Sequence, residues 1–479
     1  MASESNRVEP RILKGFQDLL PAQLLPRKEV ISRIERIFQR YGFSPLESPA
    51  LEYLDILLGP GGEGANKELF RLQSPEEEDI ALRFDLTVPF ARMMAQYPDR
   101  LKPPFRRYAI GPVWRADKPG PGRFRQFTQF DIDVAGSPVV SVDAEIIAIM
   151  CAIMAELAVP DYCVLINNRK VIDALLEDCG IVSLDQQKHV LRVIDKLAKV
   201  GEENVRLELG PGRVDESGDP IPGVQLSPPV IDRILQYVAI TGASRAEVLD
   251  RLRSFLPQSP HAHEALEELE EIDAALQALD ISETHARFDP SLARGLDYYT
   301  GPVFEMILPT APQFGSVMAG GRYNQLVERF KAQPMPCTGM SVGLDRLLAA
   351  LDCLGQVQAA ATPTQVLVVT MGKVPRNETL RLAQELRNAG FNTETYLASK
   401  KKMQMGNQLS HADHYQIPVA VIIGEDELAR GEVSVKDLRE GKEAREDIED
   451  REAYRQAGKA GQVTVARSVL IETVQKLFT

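Results

Sequence analysis

The chain has 479 residues, 44% of them hydrophobic and 26% charged, which is enough for more than one buried core and for two or three domains. Its 68 acidic and 55 basic side chains leave a net charge of −13, which excludes a surface coated all over with nucleic acid, so any such contact has to be locally basic. No apolar stretch approaches the roughly 20 residues of a membrane helix, and the opening MASESNRVEP carries no basic-then-apolar leader, so a cytoplasmic location is expected.

The first predicted element is a helix in which Val30, Ile31, Ile34, Ile37, Phe38 and Tyr41 recur at three- and four-residue spacing, ending at Gly42. Pro45 and Pro49 then favour extended chain. From about Ala81 to Val134 the pattern is mostly strand-like. Leu82, Phe84 and Leu86 alternate with Arg83, Asp85 and Thr87, and Phe130, Ile132 and Val134 alternate with Gln129, Asp131 and Asp133. The run Ile146, Ile147, Ile149, Met150, Ile153 and Met154 is apolar almost all round and suits a helix buried between layers. Between roughly Ile166 and His285 the sequence turns to polar helical stretches broken by the loop GPGRVDESGDPIPGVQLSPP, which reads as an inserted helical module.

Strand-like sequence returns with RGLDYYTGPVFEMIL, AGGRYNQLVERF and TGMSVGLDRLLAAL. After the linker GQVQAAATPT, strand and helix patterns alternate as in a small α/β domain. The expected division is residues 1–164 and 285–355 as two parts of one domain, 165–284 as its insertion and 363–479 as the last domain. Cys151, Cys163, Cys179, Cys337 and Cys353 form no C-x-x-C pair and are expected to be buried free thiols.

The densest basic cluster holds Arg106, Arg107, Arg115, Lys118, Arg123 and Arg125, with the turn-rich segment KPGPG inside it. Guanidinium groups grip phosphate through paired donors, so a hairpin of this kind suits a triphosphate or an RNA end. A single isolated arginine would more often pair with a surface acid. Of Asp131 and Asp133, one is expected to be a solvated strand-edge acid. A second concentration is RGLDYYTG, with Arg294, Tyr298 and Tyr299, although paired tyrosines in a strand usually pack. A third is Arg346, which opens a helix after Gly339 and Gly343, where backbone can approach a flat ligand. GPGGEG lacks the G-K-[ST] ending of a phosphate loop, and His261 and His263 lack zinc-protease spacing.

These residues together resemble the class II aminoacyl-tRNA synthetases and, within them, the histidyl-tRNA synthetase family. The likeness covers nearly the whole chain: GFQDLLP; FSPLESPALEYLDIL as the dimer-forming motif 1; VWRADKPGPGRFRQFTQFDIDVAG as motif 2; GMSVGLDRLLAAL as motif 3. RGLDYYTGPVFE and AGGRYNQL are particular to the histidine enzyme, and LRFDLTVPFAR, with Asp85, resembles the eukaryotic and archaeal branch. The resemblance implies an α+β catalytic domain, an antiparallel sheet flanked by helices, with a helical insertion and a C-terminal α/β anticodon-binding domain.

The activity it implies is activation of L-histidine with ATP, accompanied by Mg²⁺, and transfer of histidine to tRNA(His) by a homodimer. It places Asp85, Thr87 and Gln129 on the amino group of histidine, and Asp133, Tyr299 and Tyr298 at the imidazole. Arg115, Arg123 and Arg346 fall on ATP, with Arg294 stabilising charge at the α-phosphate. Lys400, Lys401 and Lys402 supply local positive charge in the last domain. Asn324 and Gln126 depart from the common family spelling without touching an assigned residue. One alternative is a non-catalytic paralogue serving as regulatory subunit of ATP phosphoribosyltransferase, which typically loses the anticodon-binding domain. A synthetase for another amino acid is the other, and RGLDYY argues against it.

Overall fold

The computed structural model describes residues 8–58, 69–119, 124–215, 218–293, 299–331, 333–356, 362–398, 403–443 and 461–478. The GPGGEG loop, part of KPGPG, Arg123, Arg294, Tyr298 and Lys400 to Lys402 lie outside these residues. The chain divides into two compact units, Met1–Asp18 with Val30–Val357, and Leu19–Glu29 with Gln358–Thr479.

The larger unit is organised by an eight-stranded sheet. Its order is Ser44–Pro45, Phe105–Trp114, Gln126–Ala135, Cys337–Gly343, Ser316–Tyr323, Pro302–Ile307, Cys163–Asn168 and Ala286–Phe288. The six inner strands run antiparallel, and each edge strand pairs parallel. Side chains alternate between faces along a strand, so the apolar set Phe130, Ile132 and Val134 falls on one face with Tyr108, Met340, Met318, Phe304 and Ile166, all buried. The helix Ser141–Glu156 covers that face with Ile146, Ile149, Met150 and Ile153, and Ile34, Ile37 and Phe38 of the helix Pro21–Arg40 join the same core. This helix begins well before the predicted apolar stripe at Val30.

One predicted strand is replaced. The strand Asp79–Leu82 ends before Arg83, and Thr87–Gln96 is a helix. Val88, Ala91 and Met94 are buried at helical spacing, and Asp85 Oδ1 accepts the Val88 backbone N–H at 3.0 Å. That capping bond satisfies a donor which the first turn of a helix otherwise leaves open, and local alternation could not reveal it. The stretch GPGRVDESGDPIPGVQLSPP contains a short hairpin, Gly212–Val214 with Pro220–Pro222, where only a loop was expected. Cys353 is exposed and Cys179 half-buried, so buried thiols describe only Cys151, Cys163 and Cys337.

Between the strands Cys163–Asn168 and Ala286–Phe288 the chain forms helices that include Arg169–Asp178, Pro228–Val238, Arg245–Phe255 and Pro260–Ala278. Asn168, Ser244 and Ser259 cap three of them through side-chain oxygens. The smaller unit carries a five-stranded sheet in the order Thr393–Thr395, Val366–Thr370, Val419–Ile423, Glu432–Asp437 and Gln462–Ala466, parallel among the first three strands and antiparallel after them.

A buried ion pair ties the large sheet to its covering helix. Arg322 Nε donates to Asp143 Oδ2 at 3.0 Å, its other nitrogens reach the Ser137 and Val139 carbonyls at 2.9 Å, and Thr338 Oγ1 donates to Asp143 Oδ1 at 2.6 Å. Removing one partner strands the other charge in a dry interior. Asp143→Ala should therefore lower stability by about 3–5 kcal/mol, read as the midpoint shift in urea unfolding followed by circular dichroism.

Candidate active site

The second face of the sheet is polar in its middle and floored by small side chains. In register across the strands lie Gly111, Gln129 and Gly343; then Ala109, Asp131, Ser341 and Ala319; then Arg107, Asp133, Gly339 and Gly321. Side chains directly opposite one another share a face, so Gln129, Asp131 and Asp133 stand among small residues whose place above the sheet is taken by larger side chains reaching across them, such as Arg83 over Gly111 and Tyr299 over Gly321. A β-carbon on Gly339 would overlap Asp133 Oδ1, and one on Gly111 would overlap the Arg83 guanidinium. These two glycines are needed for close approach rather than for an unusual backbone.

Asp133 is the best-held group. Arg107 Nη2 lies 2.6 Å from its Oδ2, both side chains being almost fully buried, and the Tyr323 hydroxyl donates to Oδ1 at 2.5 Å. Arg107 also donates to the Leu86 carbonyl at 3.1 Å, and its guanidinium carbon sits 4.6 Å from the centre of the Phe90 ring. The helix Thr87–Gln96 thus supplies a lid of both polar and π character to the cation. Burial drives the Asp133 carboxyl up to about 6, against the pull of Arg107 and the Tyr323 hydrogen bond.

Asp131 is only 2% exposed, and burial lifts it further, to about 7. Neither acid is a solvated strand-edge group, which corrects the expectation for one of them: both sit on inner strands, where neighbouring strands and the helix Thr87–Gln96 shut out water. Neither Asp131 oxygen, nor Gln129 Oε1, makes a hydrogen bond of good geometry to any described residue. Gln129 Nε2 donates to Ser341 Oγ at 3.2 Å, and the same hydroxyl favours ionised Asp131.

Asp85 and Thr87 are buried at the start of the lid helix. Asp85 is raised by burial and lowered by its bond from Val88 and by Arg115 and Arg107, which brings it into the same electrostatic neighbourhood. Arg115 donates through Nε to the Phe84 carbonyl at 3.1 Å and lies over the Phe127 ring at 5.1 Å, at the end of the polar row. Arg346 is exposed, in the first turn of the helix Leu344–Cys353, and donates to the Ser316 carbonyl at 2.8 Å. It pairs with neither Asp345 nor Asp352; Asp345 instead accepts the Thr128 backbone N–H at 3.0 Å. Tyr299 is buried in the apolar cluster that holds Tyr323 and Phe90, close enough to Gly321 that a β-carbon there would lie 2.9 Å from its ring.

Of the residues singled out from sequence, the structure brings Asp85, Thr87, Gln129, Asp133 and Arg115 to one side of the sheet and sets Arg346 at the ends of two central strands. Sequence reasoning missed Arg107 and Tyr323 as site residues. The odd-numbered alternation that pointed Asp133 upward also points Arg107 upward, but only strand register shows them to be opposite. Asn167 was missed as well: its Nδ2 donates to the Pro290 and Leu292 carbonyls at 3.2 and 3.0 Å and to the Tyr237 hydroxyl at 3.2 Å.

Comparison with known proteins agrees with this geometry. A family profile described as histidyl-tRNA synthetase matches residues 15–347, and one described as an anticodon binding domain matches residues 365–477. A histidine–tRNA ligase of Paracoccus denitrificans is 43% identical, with 97% of each chain covered, and one of Bartonella henselae is 40% identical over 100% of this chain and 99% of that one. Both come from bacteria rather than from the branch that the Asp85 spelling resembles. A crystal structure of histidyl-tRNA synthetase from Nostoc sp. PCC 7120 superposes with a TM-score of 0.81 at 33% identity, covering 98% of this chain and 100% of that one. A Bacillus halodurans structure titled as an ATP phosphoribosyltransferase regulatory subunit/histidyl-tRNA synthetase shares the fold at 22% identity, TM-score 0.67, over 87% of this chain and 99% of that one.

The Tyr323 hydroxyl lowers the Asp133 pKa, so its removal acts in the opposite sense. Tyr323→Phe should move the Asp133 titration upward from about 6, measured by carbon-detected NMR of side-chain carboxyls; an unchanged midpoint would remove Tyr323 from the electrostatics of the site.

Proposed function

The chain belongs to the histidyl-tRNA synthetase family, and on that premise we propose how its own residues carry the family's reaction. Its activity is the ATP-dependent ligation of histidine to tRNA. In the first step a histidine carboxylate oxygen attacks the α-phosphorus of ATP and pyrophosphate leaves, giving histidyl-adenylate. In the second, a terminal ribose hydroxyl of tRNA(His) attacks the acyl carbon and AMP leaves. The observation that carries the residue assignment is the row of half-buried Gln129 and buried Asp131 and Asp133 on a face otherwise made of glycine, alanine and serine.

In this reading Asp85, Thr87 and Gln129 hold the amino group. Asp133, oriented by Tyr323 and balanced by Arg107, accepts an imidazole N–H, with Tyr299 and Tyr298 alongside. A buried site with polar groups set for both ring nitrogens rejects apolar analogues, because those groups would be left unpaired. Arg115 and Arg123 grip the α-phosphate end of ATP and Arg346 the γ-phosphate, while Arg294 stabilises the charge that grows on the α-phosphate during attack. Positioning and fixed charge supply the catalysis, with no covalent enzyme intermediate.

Mg²⁺ belongs with the nucleotide. Held mainly by phosphate oxygens and water, it would neutralise part of their charge. Residues 1–164 and 285–355 are read as the catalytic domain, 165–284 as the insertion that contacts the acceptor arm, and 363–479 as the anticodon reader, with Lys400 to Lys402 adding positive charge. No helix among the described residues is long and apolar enough to cross a membrane, and the enzyme is placed in the cytoplasm, where charged tRNA is used.

A homodimer is supported by the small sheet Leu51–Tyr53, Asp79–Leu82 and Arg71–Gln73. Register puts Leu51, Tyr53, Leu72, Ile80 and Leu82 on one face, with Leu51, Tyr53 and Leu72 exposed by 43%, 50% and 45%. An apolar face of this kind in the motif 1 region fits a second copy of the chain. The double variant Leu51→Asp, Tyr53→Asp should sediment as a monomer where the parent chain sediments as a dimer; two monomers would refute the interface.

The activity is tested by pyrophosphate exchange into ATP with each of the twenty amino acids in turn. Histidine alone should support exchange, and Arg294→Ala should abolish it while leaving the circular dichroism spectrum unchanged. Exchange with another amino acid would overturn the roles of Asp133 and Tyr299, and exchange retained in the variant would remove Arg294 from the mechanism.

A further inference from the structure

The polar face contains a carboxylate that the reading above does not use. Asp131 occupies the middle of the row, between Gln129 and Asp133, opposite Ala109 on one neighbouring strand and Ser341 on the other. Its flanking residues are small, so nothing on the sheet itself fills the space above it. Asp133 has a protein partner at each oxygen, Tyr323 at one and Arg107 at the other. Among the described residues Asp133 Oδ2, both oxygens of Asp131 and Oε1 of Gln129 are all buried acceptors without a well-formed hydrogen bond, and of these only Asp133 Oδ2 lies within ion-pair distance of a cation.

Buried acceptors are costly to leave unpaired, and this site leaves three together. They are alike in kind, since each of them needs a donor and none can supply one. The groups that face Asp131 include Arg107, whose Nη2 serves Asp133 and the Leu86 carbonyl while its buried Nε has no well-formed bond among the described residues, and Arg83. Arg83 directs Nε to the Pro112 carbonyl and Nη1 to the Ser48 and Pro49 carbonyls and the Ser48 hydroxyl. The remaining charged neighbours, Asp133 and Asp85, are acids that repel it. Among the described residues no well-formed hydrogen bond reaches the Asp131 oxygens or Gln129 Oε1, and a cation with several N–H groups would satisfy them together.

A primary ammonium group carries three donors and one positive charge. Resting on the histidine-activating reading, we infer that Asp131 is a further specificity-determining residue, the carboxylate that receives the α-ammonium group of histidine together with Oε1 of Gln129. Ser341 is its positioning residue: the hydroxyl holds Gln129 through Nε2, which leaves Oε1 for the ligand, and orients Asp131 from the neighbouring strand. Substrates without an α-ammonium group leave the three acceptors unpaired and bind weakly for that reason. Burial raises Asp131 to about 7, so the ionised form that holds a cation is lost, and histidine binding with it, as pH falls through that value.

The test compares the full-length enzyme with Asp131→Asn, which preserves size and removes charge. In pyrophosphate exchange the histidine KM should rise by roughly ten- to a hundredfold, the range expected for a charge-assisted hydrogen bond, while the ATP KM stays within about twofold, below the effect of losing one such bond. Two inhibitors locate the contact. Histidinol, which keeps the ammonium group, should weaken in the variant in parallel with histidine; 3-(imidazol-4-yl)propanoate, which lacks it, should bind both proteins equally.

Equal loss of both inhibitors would overturn the assignment to the ammonium group, and an unchanged histidine KM would overturn any contact of Asp131 with substrate. The absence of histidine-dependent exchange in the parent enzyme would instead overturn the activity reading and this inference with it. Misfolding is separated by the melting temperature: Asp131→Asn removes a buried acid that is poorly paired when ionised, so without ligand it should melt at or above the parent at pH 8.

Discussion

Burying Arg107 against Asp133 sets the terms for much of the larger unit. An ion pair with both members 4% exposed or less is tolerated only when the remaining donors and acceptors find partners and water is kept out. The Leu86 carbonyl takes one bond from the arginine and the Phe90 ring covers it, which requires the chain after Leu82 to turn and begin a helix rather than continue as a strand. Tyr323 provides it for the aspartate, reaching from a strand two places away, and Gly339 on the strand between them makes room for the carboxyl. A polar centre in the sheet is thus sealed by neighbours that would have little reason to be there otherwise.

The opposite face of the same strands explains how such a site stays rigid. Phe130, Ile132 and Val134 alternate with the functional row and lock into the core beneath the helix Ser141–Glu156. The pair Arg322 and Asp143, with Thr338, pins that helix to the sheet. Gln129, Asp131 and Asp133 therefore stand on a strand whose other side is fixed by packing, which is the condition for holding polar groups in place. The helical insertion is connected to the site through one buried amide. Asn167 joins Tyr237, on the helix Pro228–Val238, to the carbonyls of Pro290 and Leu292, just before Arg294 in the chain. The insertion is thereby tied to the chain at Pro290 and Leu292.

Much of this arrangement was legible in the sequence. Alternation along Gln126–Ala135 separated core from functional residues, since a strand has two faces and one is buried. The basic cluster and the motifs around Arg115, Tyr299 and Arg346 singled out candidates for phosphate and histidine chemistry, and the break after Leu354 with renewed strand–helix alternation pointed to a separate α/β unit. The strand expected through Thr87 was misread because Arg83, Asp85 and Thr87 happen to alternate over too few residues to tell a strand from a capped turn. Asp131 was misread because solvent access depends on what lies above the sheet, which no single strand reports.

What the sequence by itself determined was the local grammar: which segments are strands or helices, which face of a strand is apolar, and which residue types are available for phosphate and imidazole. These follow from neighbours a few positions apart, because periodicity and capping are short-range properties. Partnership was decided only by the tertiary structure. Arg107 with Asp133, Tyr323 with Asp133, Asn167 with Tyr237 and the unpaired acceptors of Asp131 and Gln129 all arise from residues far apart in the chain or on adjoining strands. Register and burial set those distances and the dielectric around them, and with them which charges are held, which are shared and which remain open for a substrate.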